Sequence, residues 1–211
     1  MRYLSNRQDE IINMVNLAMK LQGSKNRFQE RLNQRYLETP SDYQVAVTYS
    51  FYHYYETIAM IQENQKLQME LTKILSIYDR ILEQEKEDWF VQVLRLILLR
   101  KLPCEYMSDQ EKVYEIEKTI LLQEQSDYKK EYFIIPYILL SELHIRDGKE
   151  EEGIYDLIKG MEASIVNQIP YNGICVHFKL ILRELMYLVN NNHYMRYKEL
   201  IEEISKHYFH M

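Results

Sequence analysis

Three groupings of residues in this chain have the types and spacing to do chemistry. His207 and His210, with Glu203 one turn before His207, could hold a metal on one face of a helix. They stand at a helix end where nothing supplies the outer hydrogen bonds that orient metal ligands, so a solvated helix terminus is the expectation. Glu150, Glu151 and Glu152 follow directly on a break at Gly148. Acids in the first turn of a helix complement its dipole, which accounts for them without catalysis. The third grouping is the dispersed Ser, His, Asp and Cys set. No serine lies in G-x-S-x-G, and neither Cys104 nor Cys175 stands in a nucleophile context. The chain therefore reads as non-enzymatic, with no metal and no cofactor.

Polar pairs one helical turn apart are more informative. Glu142 and Arg146 form one, Lys179 and Arg183 another, and Asn190 lies two turns beyond Arg183. Projected at the spacing of the helical pairs described below, Tyr54 and Lys101 fall on the same side. A surface carrying charge, amide and aromatic groups suits an extended peptide, whose backbone needs donors and acceptors and whose side chains need pockets.

The elements that must position these groups are helices. A chain of 211 residues makes one domain or a short row of repeats. It has five glycines and four prolines, where average usage would give about 25. Sandwiches and barrels need frequent turns built from such residues, so an all-β fold is excluded. Neither G-x-G-x-x-G nor G-x-x-x-x-G-K-[ST] occurs, which removes the common nucleotide-binding folds. A hydrophobic content of 46% is enough for a sizeable core and argues against disorder. Apolar periodicity predicts about 9–10 helices, at roughly 6–22, 25–37, 43–62, 65–87, 89–102, 108–125, 132–146, 149–167, 174–190 and 194–208. Ser41 or Asp42 can cap the third, Ser108 with Asp109 can open the sixth, and Asp147-Gly148 is a tight break. Val45, Val47, Tyr49 and Phe51 alternate as in a strand, but the run continues to Ile58 and Ile61 without a turn residue, which favours helix.

The long helices come in pairs whose first members begin near 43, 88, 131 and 172, a step of about 41–45 residues, in the range of helical-hairpin repeats. Between Tyr137 and Ile165 the residue types themselves match. Tyr137, Leu140-Ser141, His144, Gly148, Gly153, Leu157 and Gly160 fall where the tetratricopeptide repeat wants bulky, small, large and turn residues. This stretch resembles such a repeat, with His144 where a tyrosine is usual. Gly153 and Gly160 are seven apart and share a helical face. Each costs about 1 kcal/mol relative to alanine, so another helix crossing close to that face is the expected reason, with Ser141 the expected contact.

The resemblance implies an all-α, right-handed stack of antiparallel helical hairpins, a TPR-like α-solenoid, over residues 41–211. A basic helical segment, 1–40, would precede it. By architecture alone it is similar to the repeat domains of bacterial peptide-sensing regulators, which bind short peptides in a groove. The implied function is a peptide- or protein-binding module whose groove includes Tyr54, Lys101, Glu142, Arg146, Lys179, Arg183 and Asn190. A chaperone or adaptor gripping a partner's helix, and a helical-bundle enzyme with a site built from scattered residues, are the alternatives.

Charge points to few partners. Lys+Arg 26 against Asp+Glu 32 gives −6, the opposite of a nucleic-acid footprint. Residues 1–35 are locally basic, through Arg2, Arg7, Lys20, Lys25, Arg27, Arg31 and Arg35. They read as a solvated face, and no helix-turn-helix pattern accompanies them. A homodimer is compatible with all of this. With no apolar leader at the start, no stretch of the roughly 20 apolar residues a membrane helix needs and two scattered cysteines, the expected location is the cytoplasm.

Overall fold

In the computed structural model the described residues are 2–20, 25–61, 63–126 and 134–166, with 198, 199, 202 and 206. Among them the chain forms eight α-helices and no strand. These are α1 (Arg2–Lys20), α2 (Lys25–Glu38), α3 (Tyr43–Met60), α4 (Asn64–Gln84), α5 (Trp89–Leu99), α6 (Asp109–Gln125), α7 (Ile135–Arg146) and α8 (Glu150–Val166). The helix expected over 174–190 lies outside the described residues, as do His207, His210 and Glu203; of the helix expected over 194–208 only residues 198, 199, 202 and 206 are described, and they are helical. The chain divides into two compact units, Met1–Met107 and Ser108–Met211. No helix among the described residues is long and apolar enough to cross a membrane.

In the first unit α3 is the centre, touched by α1, α2, α4 and α5. Asp42 caps it by accepting a bond from the Val45 amide at 2.9 Å. The strand-like alternation at Val45–Phe51 resolves as helix because neighbours cover α3 on several sides. Ala46, Val47, Phe51, Tyr52, Tyr54 and Tyr55 are all buried, and a helix enclosed in this way shows no single apolar stripe. On one side α2 docks through its own aromatic residues. Phe28 meets Tyr52 edge-on at 5.1 Å, Tyr36 stacks on Tyr49 at 4.0 Å, and Asn33 Oδ1 lies 2.8 Å from His53 Nε2. Residues on both sides of position 40 therefore share one packed unit. On α4, Leu71, Ile74, Leu75, Tyr78 and Ile81 form the expected buried stripe.

Asp88 opens α5 and ties three helices together. Its Oδ1 accepts from the amides of Phe90 and Val91 at 3.0 and 3.1 Å and from Gln8 Nε2 at 3.3 Å, while Oδ2 accepts from the Tyr43 hydroxyl. Burial pushes the carboxyl above the usual range, and the Tyr43 hydroxyl and the Val91 and Phe90 amides oppose it. α5 ends at Leu99, three residues before the expected end at Leu102. Turn bonds from Lys101 N to Leu98 O and from Leu102 N to Leu99 O replace the last helical ones.

The second unit opens with a capping box on α6. Glu111 Oε2 accepts from the Ser108 amide at 2.8 Å while Ser108 Oγ accepts from the Glu111 amide at 3.3 Å. α7 ends in a Schellman motif, with Lys149 N bonded to His144 O at 2.8 Å and Gly148 N to Ile145 O at 3.1 Å. Gly148 supplies the left-handed conformation there, at φ 75°. The chain then returns as α8, and Tyr137 meets Gly160 while His144 meets Asp156. That reversed register makes α7–α8 an antiparallel hairpin.

Gly160 is where the hairpin closes most tightly. A Cβ placed there would stand 2.8 Å from Tyr137 Cβ and 3.2 Å from Ile134 Cγ1. A close crossing is present at Gly160, where the nearest side chains are Tyr137 and Ile134. Ile120 of α6 and Ala163 of α8 also pack on Tyr137, whose hydroxyl donates to Glu124 Oε1 at 2.6 Å.

Candidate functional site

Charged side chains with defined partners gather at the turn end of the α7–α8 hairpin. Arg146 pairs with Glu142 one turn earlier on α7; the Glu142 side chain is 3% exposed and the Arg146 side chain 47%. Tyr137 and His144, seven residues apart, face α8, and at 100° per residue Glu142 and Arg146 lie about half a turn round from them. The pair thus occupies the side of α7 turned away from α8. A guanidinium carries five N–H donors in a fixed fork. Glu142 engages part of that fork and fixes its direction, and the exposed remainder can meet a carboxylate or a backbone carbonyl. Arg146 is thus more than a solvated charge, because it neutralises a buried carboxylate.

On the other side of α7, His144 bridges to α8. Its Nδ1 lies 2.7 Å from Asp156 Oδ2, and its Nε2 lies 3.7 Å from Glu152 Oε2. Burial raises the Asp156 carboxyl above its usual range, and the imidazole beside it works the other way. Asp147 and Lys149 pair across the turn at 2.6 Å, which lowers the exposed carboxyl and raises the amine. The acidic run at Glu150–Glu152 occupies the first turn of α8, as its dipole favours. The His144–Asp156 pair was legible only in hindsight. Both residues flank the Gly148 turn, but their meeting depends on how α7 and α8 are rotated against each other.

The other expected groove residues are placed differently. Tyr54 is 4% exposed, inside the first unit's core, so its ring offers no open surface. Lys101, expected on a helix, lies in the turn beyond α5 and is half-buried. Lys179, Arg183 and Asn190 lie outside the described residues. The first unit has its own open groove of about 770 Å³ along the start of α4, lined among others by Gln65, Lys66, Met69, Thr72, Lys73 and Tyr106.

Among the described residues no group of three or more His, Cys, Asp or Glu side chains could hold a metal ion. Compared with known proteins, the chain matches no family model, no curated protein and no solved structure.

Proposed function

We propose that this chain is a non-enzymatic binding module, a TPR-like right-handed stack of antiparallel hairpins whose groove takes a peptide or protein segment in a regulatory role. The observation that carries the reading is Arg146, a half-exposed side chain paired with a buried carboxylate on the face of α7 away from its hairpin partner. The order of contacts in the first unit supports the stack. α3 touches α1, α2 and α4, and α5 touches α3 and α4, the neighbour pattern of successive hairpins. Tight closure at Gly160 supports the hairpin as the repeating unit.

The test is a peptide library displayed on phage and selected against the whole chain, with affinities of the selected peptides measured by calorimetry. Replacing Arg146 and Arg183 by Ala should weaken binding by roughly 2 kcal/mol, about thirtyfold. Glu142→Gln accompanies Arg146→Ala so that lost affinity is not lost fold. Failure to enrich any peptide, or unchanged affinity in the variant, would remove the proposal.

A further inference from the structure

α2 is held in the first unit by few side chains. Among its residues 27–38 only Leu32 is buried. Its other anchors converge on three neighbouring positions of α3. Phe28 meets the Tyr52 ring edge-on, Asn33 bonds His53, and Tyr36 stacks on Tyr49. His53 joins all three. Its ring centre lies 4.2 Å from that of Tyr49 and, edge-on, 6.0 Å from that of Tyr52, and its Nε2 is 2.8 Å from Asn33 Oδ1. Arg80 of α4 adds a bond to the Tyr36 hydroxyl at 3.0 Å. A helix with so little buried apolar contact can open without the rest of its unit.

The seam suits a neutral imidazole. Nε2–H donates to Asn33 Oδ1, and Nδ1 has no hydrogen-bond partner among the described residues, so a second ring proton gains no protein acceptor. Burial disfavours the charged ring and holds His53 below its ordinary value of 6.5. The carboxylates of Glu56, on α3, and Glu70, on α4, act the other way and are outweighed. Glu70 is itself paired with Lys73 at 2.7 Å. On α2 the charged residue one turn from Asn33 is Glu30, which is exposed. The phenols of Tyr36, Tyr49 and Tyr52 complete the surroundings.

We propose that α2 is an acid-released helix, with His53 as the group that takes the proton and the seam of Phe28, Asn33 and Tyr36 as the contact that opens. When α2 leaves, the ring returns to water and to its ordinary proton affinity. Docking is therefore at full strength above about pH 6.5 and weakens as pH falls through 6.5 toward the docked ring's lower value. At pH 5.5 the opening equilibrium can rise by at most about tenfold, the limit for a ring that stays neutral while docked. The device lies within the first unit and does not depend on the α7–α8 reading.

Hydrogen–deuterium exchange on the full chain, corrected for the intrinsic pH dependence of amide exchange, measures the opening. Between about pH 7.5 and about pH 5.5 the amides of residues 25–38 should lose protection several-fold, while those of residues 71–81 on α4 hold. His53→Phe keeps a ring in the seam but takes no proton, so its α2 protection should stay level with pH. In proton NMR spectra of the wild type, the imidazole signal missing from His53→Phe should titrate below 6.5. Protection of α2 that does not change with pH would overturn the proposal. So would equal losses in α2 and α4, which signal global unfolding, a pH-dependent loss retained in His53→Phe, or a His53 signal titrating at or above 6.5.

Discussion

One methyl group added at Gly160 should loosen the α7–α8 hairpin, and three distances set the size of the effect. The new Cβ would lie 2.8 Å from Tyr137 Cβ, 3.1 Å from Tyr137 Cγ and 3.2 Å from Ile134 Cγ1. Tyr137 Cβ is fixed to its backbone, so relief requires the two helices to separate by roughly 1 Å to restore ordinary carbon contacts. A gap of that size forfeits about a quarter to a half of the dispersion attraction at each contact it opens, and overpacking costs about 1–3 kcal/mol. Against this, alanine gains about 1 kcal/mol of helix propensity over glycine. The net expectation for Gly160→Ala is a loss of about 1 kcal/mol, or roughly 2–4 °C in melting temperature for a chain of this length. Gly160→Leu should lose more. Thermal and urea melts followed by far-UV circular dichroism measure both. Gly148→Ala serves as the comparison, because a Cβ there meets open space and its cost comes from the φ of 75° alone. A Gly160→Ala protein melting at or above wild type would refute the close crossing and the repeat match built on it.

Arg146→Ala alone should destabilise by about 1 kcal/mol, because the buried Glu142 carboxylate loses its ion pair with Arg146, and Glu142→Gln in the same chain should recover part of it, as a double-mutant cycle in urea will show. His144→Ala should cost about 1 kcal/mol by leaving the buried Asp156 without its imidazole, and adding Asp156→Asn should reduce the penalty in the same melts. Asp88 titrates above its ordinary value of 3.8 because burial disfavours the charge, so the folded state binds its proton more tightly than the unfolded chain does. Its ionised form therefore weakens the fold at neutral pH, and that penalty fades as pH falls through the raised value toward the ordinary one. Urea midpoints should show wild type gaining on Asp88→Asn as pH is lowered from about 7 to about 4; wild type losing ground instead would contradict the assignment.

Much of the local structure was legible in the residues. The Asp42 cap, the capping box at Ser108 and the turn at Asp147-Gly148 each depend on a few neighbouring positions, and each formed as its chemistry requires. Gly160 was legible as a close approach because a helix tolerates such a residue at a cost only for a reason. What it approaches was not legible. Naming Tyr137 and Ile134 there requires the rotation of α7 against α8, which is set by the whole seam. The same limit hid the burial of Glu142 and Tyr54, since a helical position has no fixed exposure until its neighbours are placed. Asp88 reads from the sequence as the start of a helix. Its bonds to Gln8 and Tyr43 come from residues tens of positions away and leave no local mark.

Hydrogen–deuterium exchange on the whole chain, with and without a phage-selected peptide, tests the binding reading most directly. The account predicts that peptide slows exchange in α7 around Glu142 and Arg146, and that the protection disappears in Arg146→Ala/Glu142→Gln while the core amides of α3 stay unchanged. Protection confined to the groove at Gln65–Lys73, or no protection anywhere at saturating peptide, would contradict it.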